Sequence, residues 1–159
     1  MNYSVIIRAH EMSTLLVRAV QCLRAQSQPP LEIVVVDSSG CAEVGRKLRE
    51  LADVHVPYGP GQFNYSRAIH LGVAVAAADH VLIHSSHVAL MDPQLLESAF
   101  QRAAAAKCAV FYFRKGASTA YDNIDVTRFD GRNGLANSCA MIPRHLLLQR
   151  GFREEVFSA

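Results

Sequence analysis

The chain has 159 residues, half of them hydrophobic, and a formal charge of +2. That length fits one domain with a real core, and the charged share is too high for a membrane protein. The near-neutral balance excludes the basic footprint of a nucleic-acid-binding protein, and no apolar run approaches the roughly 20 residues that span a bilayer.

In chain order, the first segment, Met1 to Arg8, has no basic region followed by a long apolar one, so no signal peptide is expected. "YSVIIRA", Tyr3 to Ala9, is a β-branched run and reads as a strand. "STLLVRAVQCLRAQ" places Leu15, Leu16, Ala19, Val20 and Leu23 at helical spacing, with Ser13 as N-cap. Pro29 and Pro30 stop that helix. "EIVVVD", Glu32 to Asp37, is nearly continuous and apolar, as a strand buried on both faces of a parallel sheet must be. After the turn at Ser38 to Gly40, a helix is expected over Ala42 to Leu51, with Arg46, Lys47 and Arg49 on its solvated face, and "DVHV" reads as a third strand.

"PYGPGQ", Pro57 to Gln62, is the strongest loop signal. Asn64 then caps a helix through "NYSRAIHLGVAVAAA". "HVLIHSS" is the fourth strand, and "DPQLLESAFQRAAAA" the next helix, with Asp92 as N-cap and Pro93 at its first position. "CAVFYF", Cys108 to Phe113, is the fifth strand; Arg114 to Leu135 reads as a long loop; "ANSCAMIP" returns to the sheet and "RHLLLQRG" forms a short helix. The alternation over residues 3–113 predicts an α/β domain with a mainly parallel central sheet and helices on both faces. The four cysteines, Cys22, Cys41, Cys108 and Cys139, have no metal-ligand spacing and are expected as reduced, mostly buried thiols of a cytoplasmic protein.

Ligands of open α/β sheets bind beyond the carboxyl ends of the strands. That rule selects Arg8, Ala9, His10 and Glu11, then Asp37 to Gly40, then Ser85, Ser86 and His87. Each has a plainer reading: Asp37 also favours a turn for its own reasons, Arg67 is also a solvated helix residue, and His10 and His87 are also loop or strand-end residues satisfied by local backbone. His84 lies three positions before His87, so on an extended strand the two face opposite ways and His84 is expected in the core or an interface. Cys139 reads as packing.

"SVIIRAHEMSTLLVRAVQCLRAQSQPPLEIVVVDSSG" and "FNYSRAIHLGVAVAAADHVLIHSSHVALMDPQLLESAF" resemble successive blocks of the family 2 glycosyltransferases, and "NGLANSCAMIPRHLLLQRGFREEVF" is similar to their segment near the acceptor site. The resemblance implies a Rossmann-like nucleotide-diphospho-sugar transferase fold. It implies one domain over residues 1–159, with a nucleotide-binding core at 1–113 and part of the acceptor side at 114–159. By the same resemblance Arg8, Ala9, His10 and Glu11 hold the nucleotide, His10 stacking on the base. Asp37 accepts a hydrogen bond from the base, Arg67 meets the diphosphate, and Asn137 and Ser138 lie on the acceptor side.

His87 falls where the family has the last aspartate of its acidic metal motif, so Ser85, Ser86 and His87 are expected at the diphosphate or a divalent metal, Mg²⁺ or Mn²⁺. The implied reaction moves a sugar from a nucleoside diphosphate sugar to a hydroxyl of a glycan, lipid or protein acceptor. The family's catalytic carboxylate is expected beyond Ala159; Glu154 and Glu155 do not occupy its position. Two other readings remain beside the enzyme: a non-catalytic nucleotide-sugar-binding or scaffold domain, and an interaction module, either one able to form a homodimer.

Overall fold

The computed structural model describes residues 2–59, 61–105, 110–113, 121–124 and 139–152. The elements follow as β1 (Tyr3–Ala9), α1 (Thr14–Arg24), β2 (Glu32–Asp37), α2 (Ala42–Leu51), β3 (Val54–Pro57), α3 (Tyr65–Val75) and β4 (His80–Ser85). Then come α4 (Leu95–Ala105), β5 (Val110–Phe113), β6 (Tyr121–Ile124), β7 (Cys139–Pro143) and α5 (Arg144–Gln149).

Seven strands form one sheet in the order β3-β2-β1-β4-β7-β5-β6. The β1–β2, β1–β4 and β2–β3 pairs are parallel. β7 lies antiparallel between β4 and β5, and β6 is antiparallel to β5. Among the described strands only β6 and β7 therefore oppose the common direction, and the sheet is mainly parallel as the alternation predicts.

Strand period explains the two-sided core. On β1, Tyr3, Val5, Ile7 and Ala9 pack in one cluster with Leu16, Val20 and Leu23 of α1, Leu48 of α2 and Leu96 of α4. The intervening Ile6 packs on the opposite face with Ala68, Ile69 and Val73 of α3 and Leu147 of α5. Successive side chains point to opposite faces, so covering both faces requires the apolar runs 5–7 of β1 and 33–36 of β2. Each such Val, Ile or Leu contributes roughly 1.5–3 kcal/mol when fully buried. Gly72 lets α3 settle on this sheet: a Cβ there would lie 2.6 Å from Ile6 Cγ2.

The expected caps form. Ser13 Oγ accepts from Leu16 N–H at 3.2 Å, and Asn64 Oδ1 accepts from Arg67 N–H at 2.9 Å. At α4 the start is later than expected: Asp92 Oδ1 accepts from Gln94 N–H at 2.9 Å, closing a turn at Pro93–Gln94, and the regular helix begins at Leu95. Buried Gln26 anchors that entry. Its Nε2 donates to the carbonyls of Leu90 (3.4 Å) and Asp92 (2.9 Å), and its Oε1 accepts from Leu96 N–H at 3.2 Å.

Two expectations need correction. The polar stretch 114–135 is not loop throughout, because β6 lies within it and pairs with β5. Strand formation there depends on an available partner edge, which local polarity does not reveal. The cysteines are not mostly buried among the described residues. Cys139 is buried, Cys22 is half-buried, and Cys41 is exposed at the head of α2, where the chain leaves the sheet. Cys108 lies outside the described residues.

Candidate functional site

The parallel ladders bring the selected segments to one edge. Ala9 is in register with Asp37, Arg8 with Ser85, and Asp37 with Pro57. The turns beyond β1 and β2 are tied together: Ser38 N–H donates to Ala9 O at 2.9 Å, and His10 Nδ1 lies 3.1 Å from Ser38 O. His10 and Glu11 are exposed there.

Asp37 is engaged on both oxygens. Ser39 donates to Oδ1 from its hydroxyl at 2.6 Å and its N–H at 2.9 Å, and His55 Nε2 lies 3.0 Å from Oδ2. The Asp37 and His55 side chains are 9% and 8% exposed. Burial by itself raises a carboxyl pKa. Here the hydrogen bonds from Ser39 and His55 outweigh burial and hold Asp37 below the ordinary carboxylate value. The turn-forming role of Asp37 is therefore real, and its carboxylate plane is fixed by a histidine from β3. Gly45 makes room for this pair in the middle of α2, since a Cβ there would sit 2.9 Å from Asp37 Oδ2. Beside the pair opens a cavity of about 750 Å³, lined by Asp37, Cys41, Arg49, His55, Tyr58 and Phe63 among others. That volume suits a small-molecule ligand.

A second group of side chains gathers around the loop between β3 and α3. The Arg8 guanidinium carbon stands 4.7 Å from the Tyr65 ring centre and 5.1 Å from that of Phe63. That of Arg67 stands 5.4 Å from the Tyr58 ring centre, and the Tyr58 and Phe63 rings are 5.2 Å apart. Tyr58 is buried and doubly bonded: its hydroxyl donates to Gln62 O at 3.2 Å and accepts from Asn64 N–H at 2.8 Å. Burial raises the Tyr65 phenol pKa, with Arg8 opposing the shift. Among the described residues neither Arg8 nor Arg67 has a carboxylate partner.

The two histidines separate, His84 on β4 and His87 in the turn beyond it. His84 is 2% exposed and its Nε2 donates to Val88 O at 2.8 Å. Burial pushes its pKa down to about 4. His87 is exposed, with its Nε2 3.0 Å from Ser85 Oγ. Ser85, Ser86 and His87 offer two hydroxyls and one imidazole. Mg²⁺ and Mn²⁺ favour carboxylate, carbonyl and water oxygens, and no group of three or more His, Cys, Asp or Glu among the described residues is placed to hold a metal ion. This donor set does not fit such an ion.

Asn137, Ser138, Glu154 and Glu155 lie outside the described residues. Four residues that line or order the site, His55, Tyr58, Phe63 and Tyr65, have no place in the sequence-based selection, which reaches only just beyond strand ends. For Tyr58, Phe63 and Tyr65 the signal is three aromatics within residues 58–65, spanning a Gly/Pro loop and the start of α3; His55 carries none.

The fold is a mainly parallel sheet covered on both faces. Three solved structures share it. The mannosyltransferase from Pyrobaculum calidifontis, in complex with GDP-Man and Mn²⁺, superposes with a TM-score of 0.74 at 18% identity, over 97% of this chain and 48% of that one. S. aureus TarS (residues 1–349) gives 0.69 at 17%, over 100% and 52%. The glucosyl-3-phosphoglycerate synthase from Mycobacterium tuberculosis, in complex with phosphoglyceric acid, gives 0.63 at 15%, over 92% and 58%. At these identities the likeness is one of fold, and the chain spans about half the length of each. No curated protein sequence matches it. The sequence pattern of glycosyl transferase family 2 matches residues 4–150, and the chain belongs to that family. No helix among the described residues is long and apolar enough to cross a membrane.

Proposed function

We propose that this chain binds a nucleoside diphosphate sugar and serves its transfer to an acceptor hydroxyl. In such a transfer the bond between the anomeric carbon and a phosphate oxygen breaks, the acceptor oxygen takes the carbon and gives up its proton to a base, and the nucleoside diphosphate leaves with additional negative charge. The observation that carries the reading is the meeting of Arg8, Asp37 and Ser85 at one edge of the sheet, beside a cavity of about 750 Å³. Residues 1–113 supply the donor side and residues 114–159 part of the acceptor side.

In this reading the cavity beside Asp37 takes the base and His10 closes over it from the β1 turn. Asp37 acts with His55 as a fixed acceptor: Oδ1 already takes two hydrogen bonds from Ser39, and Oδ2, bonded to His55, has a further lone pair to offer. Arg67 faces the diphosphate, and Ser85-x-His87 stands where the family carries its acidic motif. The P. calidifontis structure, which holds GDP-Man, supports a nucleotide sugar as the ligand class. Calorimetry of the chain with UDP, GDP and dTDP, each with and without Mn²⁺, tests the proposal. One of them is expected to bind, and its affinity to fall in Asp37→Ala. A folded sample that binds none of the three under either condition would overturn it.

A further inference from the structure

The end of β4 has no carboxylate to hold a cation against a diphosphate, yet the same edge is rich in fixed positive charge. Arg8 is in register with Ser85. From there a chain of contacts runs from Tyr65 to Arg8, to Phe63, to Tyr58 and to Arg67, each step between 4.7 and 5.4 Å. Guanidinium groups lie well on aromatic faces and keep their forked donors free at the edge. The rings thus hold two arginines in place without neutralising their charge, as a carboxylate partner would.

The platform is itself braced. Tyr58 is locked between Gln62 O and Asn64 N–H, and Asn64 caps α3, which carries Arg67 in its first turn. The amino end of that 11-residue helix adds partial positive charge in the same place. An anion arriving here meets groups already ordered, so less is lost in immobilising them.

We propose that Arg8 and Arg67, held on the Tyr65–Phe63–Tyr58 rings, form a diphosphate site that works without a divalent metal. The two guanidiniums supply the positive charge that a metal ion would bring, and His87 at the β4 end adds a hydrogen-bonding imidazole. This rests on the nucleotide-sugar reading above, and the test separates the two.

Calorimetry in EDTA, with inorganic pyrophosphate and with whichever of UDP, GDP and dTDP binds best, is compared with the same titrations in Mn²⁺. Both ligands are expected to bind in EDTA, within about threefold of their affinity in Mn²⁺, since a threefold change is under 1.4 kcal/mol. Arg8→Met and Arg67→Met, each checked for folding by circular dichroism, are expected to weaken pyrophosphate by about tenfold or more, the scale of a lost charged hydrogen bond. Arg67 is exposed, so its variant keeps the test valid if Arg8→Met fails to fold. Binding seen only with Mn²⁺, or unchanged in both arginine variants, overturns the metal-free site and leaves the nucleotide-sugar reading standing. Absence of nucleotide binding in both buffers removes that reading and this one with it.

Discussion

At the amino ends of the strands, Ser4 Oγ donates to Glu32 Oε1 at 2.7 Å and accepts from Ala78 N–H at 3.1 Å, while Glu32 Oε1 also accepts from Ala77 N–H. Asp53 accepts from Ile33 N–H with one oxygen and pairs with Arg24 through the other, and Tyr3 donates to Gln28 O. At the carboxyl ends of the same strands, Arg8 and Arg67 rest on rings with no carboxylate partner among the described residues, and His10 and His87 face solvent. One edge commits its polar groups to the fold; the other ties down Asp37 and Tyr58 but, among the described residues, leaves the charges of Arg8 and Arg67 without a carboxylate. Stability and binding should therefore respond to different residues.

The largest effect should come from Gln26, which serves only the fold. It is 4% exposed, and it joins the end of α1 to the loop and helix that follow β4. Gln26→Ala strands the Leu90 carbonyl and the Leu96 N–H in a buried setting, at a cost of about 1–3 kcal/mol for each unsatisfied group. A loss of roughly 4 kcal/mol in urea unfolding is expected once the lost packing is added. A loss under about 1 kcal/mol, the low end for a single stranded group, would mean that the two edges are not built differently.

Much of this division is legible in the amino-acid sequence. The two-faced strands β1 and β2, the caps at Ser13 and Asn64, and the return of residues 139–143 to the sheet all follow from local periodicity and capping chemistry. Gln26 is visible there only as the end of a helix, because its partners at Leu90, Asp92 and Leu96 lie 64 to 70 positions away. The same limit hides His55, 18 positions from Asp37. On β3 its neighbours in sequence read simply as a strand, and only the β2–β3 register brings it beneath the carboxylate. Strand-end logic locates Arg8, Asp37 and Ser85, which sit on the backbone ladder. It passes over Tyr58, Phe63 and Tyr65, which belong to the site through side-chain contact. β6 escapes it because its partner, not its composition, makes it a strand.

His84 and His87 sharpen the contrast over three residues. His87 is exposed, whereas buried His84 has a pKa near 4 against an ordinary 6.5. The folded chain resists protonating His84, while the unfolded chain takes the proton freely once the pH falls below about 6.5. Stability from this group is thus complete above about pH 6.5 and is lost as the pH falls towards 4, by up to about 3 kcal/mol. His84→Gln keeps a donor for Val88 O and removes the titration, so its unfolding free energy should change less with pH across that window. Equal acid sensitivity in the variant and the unaltered chain would place the buried histidine outside the account.

The smallest effect on folding is expected from Arg67→Met. Its guanidinium is exposed and touches one ring, Tyr58, at 5.4 Å. A cation over a ring at an exposed site is worth about 0.5–1 kcal/mol. Methionine restores part of that contact and is as good a helix former as arginine. Unfolding free energy should therefore change by about 0.5 kcal/mol or less, while pyrophosphate binding falls by the larger factor expected above. Because the Arg67 guanidinium lies against a ring and not against a carboxylate among the described residues, its charge remains for a ligand. A destabilisation approaching that of Gln26→Ala would show instead that the arginine is a structural member of the ring platform.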